Sequence, residues 1–270
     1  MTKAVHVIID GLRPDAIAQA ACPGLKALMH RGAFSLTARS VMPTLTLPCH
    51  VSIFHSVTPE RHGILDNDWH SMAQPLPGLV EVLKEAGLRC AFFTNWDPLR
   101  NLCQPNQLAM MYCYNTSETD PMSDHRIADQ AAHYLQHDSF DYSFVYFGSL
   151  DTVGHWYGWM SDAYIKHIEE VDRCLQIVVQ AVPEDSVILL HSDHGGHDHK
   201  HGTDSDEDML IPWMIAGTNI RKNHHIQSEV SLLNAAPTIA ACLGVAPAVE
   251  WQGSPVSEIF VAREMTMRHP

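Results

Sequence analysis

At 270 residues, 46% of them apolar, the chain can bury a substantial core, which excludes an intrinsically disordered protein. Acidic residues outnumber basic ones by 31 to 17, and the formal charge of −14 repels a phosphate backbone, so general nucleic-acid binding is excluded. A small anionic substrate is not excluded, because bound cations reverse the potential locally. Seven cysteines are scattered without a CxxC pair, and an odd number predicts free thiols in a reducing compartment. Met1 to Lys3 lead straight into Ala4–Ile9, too short for the core of a signal peptide. The longest apolar region, Leu232 to Val249, is broken by Asn234, Pro237, Thr238 and Pro247 and does not read as a membrane span. The expectation is a cytoplasmic protein.

Short apolar runs then alternate with helical patterns. Val5–Ile9 is β-branched and ends at Asp10–Gly11, a buried strand followed by a turn. Pro14–Ala21 and Gly24–His30 read as helices, and Pro48–Val57 begins another, since proline is favoured in a first turn. Leu79–Ala86 is an amphipathic helix stopped by Gly87, with a strand at Cys90–Thr94 behind it. Asp124–His137 predicts a helix, Tyr142–Phe147 a strand, Asp162–Val182 a long helix and Ser186–Leu190 a strongly apolar strand. Ile211–Ala216 is a further strand and Leu232–Leu243 a closing helix. This alternation predicts an α/β fold with a mainly parallel central sheet sandwiched by helices. With no repeat or linker, residues 1–270 read as one domain, and the irregular stretch from about 68 to 114 as a small cap.

Ligands of such sheets gather beyond the carboxyl ends of the strands. Three of the apolar runs end there in acidic or acid–histidine groups: Asp10; Asp151 with His155; and His191-Ser192-Asp193-His194-Gly195-Gly196. Asp151 and His155, four residues apart, project to one side if Thr152 begins a helical turn. Asp193 and His194, being adjacent, point apart unless the backbone turns, a turn that Gly195–Gly196 would supply. Carboxylate with imidazole suits zinc or manganese better than calcium. His197, His199 and His201 alternate in the following loop, and composition does not say which of them binds a metal. Pro43-Thr44-Leu45-Thr46-Leu47-Pro48 offers a nucleophile: Thr46, just before a helix start, would benefit from the helix dipole. Simple capping is the alternative role for Thr46, and Thr44 is the rival nucleophile.

Together these residues resemble the nucleotide pyrophosphatase/phosphodiesterase branch of the alkaline phosphatase superfamily. The carrying motifs are Ile9-Asp10-Gly11, Pro43 to Pro48 with His50, Pro59-Glu60-Arg61-His62-Gly63-Ile64 with Asn67, Asp151 to His155, Asp193-His194-Gly195 and His201-Gly202. The resemblance implies an alkaline phosphatase-like fold and two divalent ions, zinc or alternatively manganese. It implies that Asp151, His155 and His201 hold the ion that activates water, and Asp10, Thr46, Asp193 and His194 the one that activates the nucleophile. It favours His201 over His197 and His199, and it matches Asn67 to an asparagine that donates to a phosphate oxygen. Cys49 departs from the family, which has Asn after that proline. Sulfatases use a modified cysteine, but theirs stands two positions before the proline, where this chain has Thr46, so Cys49 reads as a packed small residue.

The implied activity is hydrolysis of a phosphodiester or pyrophosphate bond in a small substrate, a nucleotide being one candidate, through a phosphothreonine intermediate. Neutral Asn67 as the extra donor suits a singly charged diester better than a monoester; Arg61 reads as ordering a loop, and Trp69 as a residue that stacks on a base or packs under the cap. The alternatives are a phosphonate hydrolase, for which Arg100 is the candidate carboxylate binder, a phosphomonoesterase, and a catalytically idle metal- or nucleotide-binding protein. No membrane partner is expected, and the sequence leaves the oligomeric state open.

Overall fold

The computed structural model describes residues 2–72 and 76–261. Among these residues eight strands form one sheet: β1 (Ala4–Ile9), β2 (Gly32–Arg39), β3 (Cys90–Thr94), β4 (Met110–Cys113), β5 (Tyr142–Phe147), β6 (Val187–His191), β7 (Leu210–Gly217) and β8 (His224–His225). Their order is β4-β3-β5-β1-β6-β7-β2-β8. Neighbours pair in parallel except at β7, which opposes both β6 and β2. Every residue of β1, β3, β5 and β6 is buried, as expected of central strands covered on both faces.

Alternate side chains of β1 enter two separate cores: Ala4 and Ile8 join one, Val5, Val7 and Ile9 the other. The first core lies under the helices Thr46–His55, Leu79–Glu85 and Ala235–Cys242, the second under Pro23–Arg31, Ser123–His137 and Asp162–Ala181. The result is the helix–sheet–helix sandwich that the apolar runs predict.

The differences from the sequence reading are local. The helix expected over Pro14–Ala21 is confined to Ala16–Gln19, and the closing helix starts with a tighter turn at Leu232–Asn234 before Ala235–Cys242. The region from 68 to 114, expected as a cap, places β3 and β4 in the main sheet, because its apolar Cys90–Thr94 pairs with β5. Strand β2 was not anticipated: its residues are only partly buried, and its register with β7 shifts between Ser35 and Ala38, so no continuous alternation reaches the sequence.

Strand directions place the functional loops. Asp10, Asp151 and Asp193 follow the carboxyl ends of β1, β5 and β6 on one edge of the sheet. Because β7 opposes β6, its amino end lies at that same edge, so the loop before it brings His201 there too.

Candidate metal centre and active site

Thr46 is the first residue of the Thr46–His55 helix, one position further in than the cap position expected, since Leu45 keeps the extended backbone of the cap. Its Oγ1 lies 3.3 Å from His194 Nε2. The same nitrogen is 3.3 Å from Asp10 Oδ1 and 3.4 Å from Asp193 Oδ2. Thr44 is engaged elsewhere: its hydroxyl donates to the Thr203 carbonyl at 2.9 Å and accepts from Gly202 N–H.

A second cluster adjoins this one. Asp151 Oδ2 is 3.4 Å from His155 Nε2, and Asp151 Oδ1 is 3.5 Å from His201 Nε2. The helix that carries Asp151 and His155 begins at Ser149, earlier than the Thr152 start expected. The His194 and His201 rings stack at 3.9 Å, tying the clusters together. Ligand atoms of Asp151, His155 and His201 lie within 4.8 Å of one another, and so do those of Asp10, Asp151 and His194, which places Asp151 between the two groups. His197 and His199 stay outside: His197 bonds Asp208 at 2.7 Å, and His199 accepts no place in either cluster but meets the His155 carbonyl at 3.0 Å.

The chemistry of these donors fits cations. Nδ1 of His155, His194 and His201 meets the backbone carbonyls of His199, Gly195 and Thr44 at 2.9, 2.8 and 2.7 Å. A ring nitrogen bonded to a carbonyl must carry the proton, so each neutral ring turns its Nε2 lone pair towards the carboxylates. Lone pairs then face one another: His155 Nε2 and His201 Nε2 are 3.1 Å apart. Asp10 Oδ1, Asp151 Oδ1 and Asp193 Oδ2 are buried there without a hydrogen-bond partner. Buried anionic oxygens left unpaired are costly, and divalent ions among them remove that cost.

The electrostatics agree. Burial pushes the Asp10 carboxyl well above its ordinary range, with Asp193 and Asp151 adding to the rise, and burial raises Asp151 as well. Burial lowers His194 and takes His201 down to about 4, so these imidazoles are neutral and able to ligate at pH 7. Burial raises the thiol of Cys49 well above its ordinary value, in keeping with a packed residue that has no exposure to solvent.

The supporting groups include several that the sequence did not single out. Tyr146 donates its hydroxyl to Asp10 Oδ2. The Trp159 indole N–H and the Tyr164 hydroxyl both donate to the Gly11 carbonyl, at 2.9 and 2.7 Å. Gly11 has φ +70°, and a Cβ there would lie 3.2 Å from Asp151 Cα, so only glycine suits this turn. Ser149 donates to Asp124 and also meets His167 Nε2 at 2.7 Å. This is not a nucleophilic triad, in which the histidine stands between the other two; the fully buried Ser149 instead pins the turn that delivers Asp151.

Gly195 and Gly196 serve differently from the expectation. Neither has a positive φ. Close packing is what they provide: a Cβ on Gly195 would lie 2.1 Å from the Glu207 carbonyl oxygen, and one on Gly196 would lie 2.3 Å from the Trp159 ring.

A cavity of about 280 Å³ opens over both clusters. Thr46, Asn67, Glu118, Tyr146, Asp151 and His201 are among its lining residues, and no lysine or arginine among the described residues is. Asn67 Oδ1 accepts from Leu47 N–H at 2.9 Å. Trp69, expected near the substrate, lines a neighbouring cavity with Arg100, while Trp96 and Trp156 line this one. Arg100 is paired with Asp97 at 2.5 Å, and Arg61 donates to the Glu250 carbonyl at 2.7 Å, the loop-ordering contact expected of it.

Residues 4–215 match the family model for type I phosphodiesterase/nucleotide pyrophosphatase. The chain belongs to that family. Family members are metal-dependent hydrolases of phosphate esters, and the two donor clusters are groups that could hold such ions. Among curated relatives, this family member is 27% identical over 119 residues to the phosphopentomutase of Clostridioides difficile, covering 43% of this chain and 30% of that one. It spans less than a third of the length of the curated relatives it matches. Among solved structures it is similar to murine ectonucleotide pyrophosphatase/phosphodiesterase 5, an inactive threonine-to-alanine variant in complex with AMP. The TM-score is 0.79 at 14% identity, covering 97% of this chain and all of that one. A phosphonate monoester hydrolase from Silicibacter pomeroyi gives a TM-score of 0.74 at 14% identity, covering 94% of this chain and 76% of that one. These structures show the alkaline phosphatase-like fold. No helix among the described residues is long and apolar enough to cross a membrane.

Proposed function

We propose that this chain is a two-metal phosphohydrolase that cleaves a phosphodiester or pyrophosphate bond of a small substrate through a phosphothreonine intermediate on Thr46. The observation that supports it best is the convergence of Thr46 Oγ1, six carboxylate or imidazole groups and three unpartnered carboxylate oxygens beneath one cavity. When bound, two divalent ions, zinc or alternatively manganese, neutralise charge on the phosphoryl group and lower the pKa of a nearby hydroxyl or water. Asp151, His155 and His201 would hold one of them, and Asp10, Asp193, His194 and Thr46 the other.

Thr46 Oγ1 loses its proton and bonds to phosphorus from the side opposite the leaving oxygen, whose bond to phosphorus breaks; the proton lost and the leaving oxygen depart together as the product hydroxyl or, for an acidic leaving group, as its anion and a proton. Water then bonds to phosphorus and the bond to Thr46 breaks, restoring the hydroxyl. Asn67, its Oδ1 occupied by Leu47, is left with its amide N–H groups for a non-bridging phosphate oxygen. Tyr146 holds Asp10 through its hydroxyl. The murine relative described as inactive carries alanine in place of a threonine, which fits this role for Thr46.

A cavity lined by no lysine or arginine among the described residues favours the single charge of a diester over the double charge of a monoester. Arg100, paired with Asp97 beside a different cavity, offers a phosphonate's carboxylate nothing here. The seven unpaired cysteines support a reducing, cytoplasmic setting.

The test compares bis-p-nitrophenyl phosphate, p-nitrophenyl phosphate and phosphonoacetate, with and without chelator. The diester is expected to turn over fastest, chelation to stop it, and Thr46→Ala to abolish it while metal binding persists. Turnover that survives chelation rejects the two-metal reading, and an active Thr46→Ala protein rejects the nucleophile.

A further inference from the structure

The cavity over the two clusters has lining residues that phosphoryl transfer does not use. Trp96 and Trp156 line it together with Glu118. The Trp96 indole N–H donates to Glu118 Oε1 at 2.8 Å, which fixes the carboxylate and leaves its second oxygen free. Trp96 is buried, while Trp156 is 46% exposed at the rim. Of the three carboxylates lining the cavity, Asp10 and Asp151 belong to the metal clusters. Glu118 alone therefore stands outside the metal clusters, with no lysine or arginine among the described residues of the cavity wall to offset it.

A bare carboxylate in a phosphate-ester cavity is unfavourable for an anionic substrate unless the substrate brings the opposite charge. Carboxylate and indole together form the environment that an ammonium group prefers, through Coulombic attraction and through the negative faces of the rings. We propose that Glu118, Trp96 and Trp156 form a subsite for a cationic ammonium group on the substituent beyond phosphorus, so that the substrate is an alkylammonium phosphodiester. This rests on the phosphodiesterase reading of the same site.

The decisive pair of substrates differs in charge alone: p-nitrophenyl phosphocholine and its carbon isostere, 3,3-dimethylbutyl p-nitrophenyl phosphate. In the metal-loaded protein the cationic diester is expected to have a kcat/KM about ten-fold higher, the size of effect that one partly exposed charge with an aromatic neighbour supplies. Glu118→Gln is expected to bring that ratio to within about two-fold of one. The same preference should appear in binding of the intact diesters to metal-loaded Thr46→Ala protein, measured by calorimetry. A wild-type ratio near one, or a ratio unchanged by Glu118→Gln, overturns the subsite. If neither diester is hydrolysed, the phosphodiesterase reading fails, and the calorimetric preference still decides for or against the ammonium site.

Discussion

Asn67 lies on an exposed loop, yet its orientation is fixed by one bond from Leu47 N–H to its Oδ1. That bond settles which end of the amide faces the cavity, and only the donor end can stabilise charge building on a phosphate oxygen. Asn67→Ala is therefore expected to lower kcat about ten- to a thousandfold with the melting temperature little changed. Steady-state kinetics on the diester, beside a thermal melt, check it; an unchanged kcat removes Asn67 from the site. The motif residues were legible in the sequence because each ligand follows a recognisable apolar run or stands in a characteristic order. Of the two readings of Trp69, stacking on a base or packing, the packing one matches its place: it packs against the core and lines the adjoining cavity. Glu118 and Trp156 were invisible for another reason: Glu118 reaches the site from a turn distant in sequence, and Trp156, although next to His155 on the Ser149–Tyr157 helix, is itself part of no motif.

At the scale of elements, Trp159 joins the segments that carry the ligands. Its ring lies against Gly196 of the loop after β6 and Gly154 of the helix after β5, where added Cβ atoms would approach to 2.3 and 2.6 Å. Its N–H reaches the Gly11 carbonyl in the turn after β1. One indole thus sets the spacing between Asp10, the Asp151–His155 helix and the Asp193–His194 turn. Gly196→Ala is expected to cost about 1–3 kcal/mol through overpacking and to weaken metal binding, since the ring must move from between its neighbours. Denaturant melts and a metal titration measure both effects, and a loss below about 0.5 kcal/mol would show that the ring has room to shift. The long buried strands and amphipathic helices could be read from the sequence, because apolar periodicity records burial directly. The reversal of β7 could not, since a strand's direction leaves no mark on its composition, and that reversal is what brings His201 to the edge shared by the other ligands.

Across the whole molecule, the site sets part of the stability. Two clusters of unpartnered donors favour the unfolded chain until cations join them, so each ion present at a hundred times its dissociation constant adds about 2.7 kcal/mol, or about 5 °C in a chain of this size. Chelation should reverse that gain. In the chelated protein, pH then acts mainly through buried histidines. Burial lowers His50, His62, His167, His191 and His201 to about 4, and it lowers His6, His55 and His194 in the same direction. The unfolded chain takes up these protons near pH 6.5. Between about 6.5 and 4 the unfolded state therefore binds more protons, and stability present above that window is lost as pH falls through it. Three carboxyls raised by burial oppose this: Asp124, at about 6, with Asp10 and Asp151, which keep protons in the fold that the unfolded chain has already released. Eight imidazoles outweigh three carboxyls, so the melting temperature of the chelated protein is expected to fall steadily from pH 7 to pH 5. Calorimetric scans at half-unit intervals give the slope. A flat or rising profile would mean that the raised carboxyls dominate, and that the histidines take up protons within the fold.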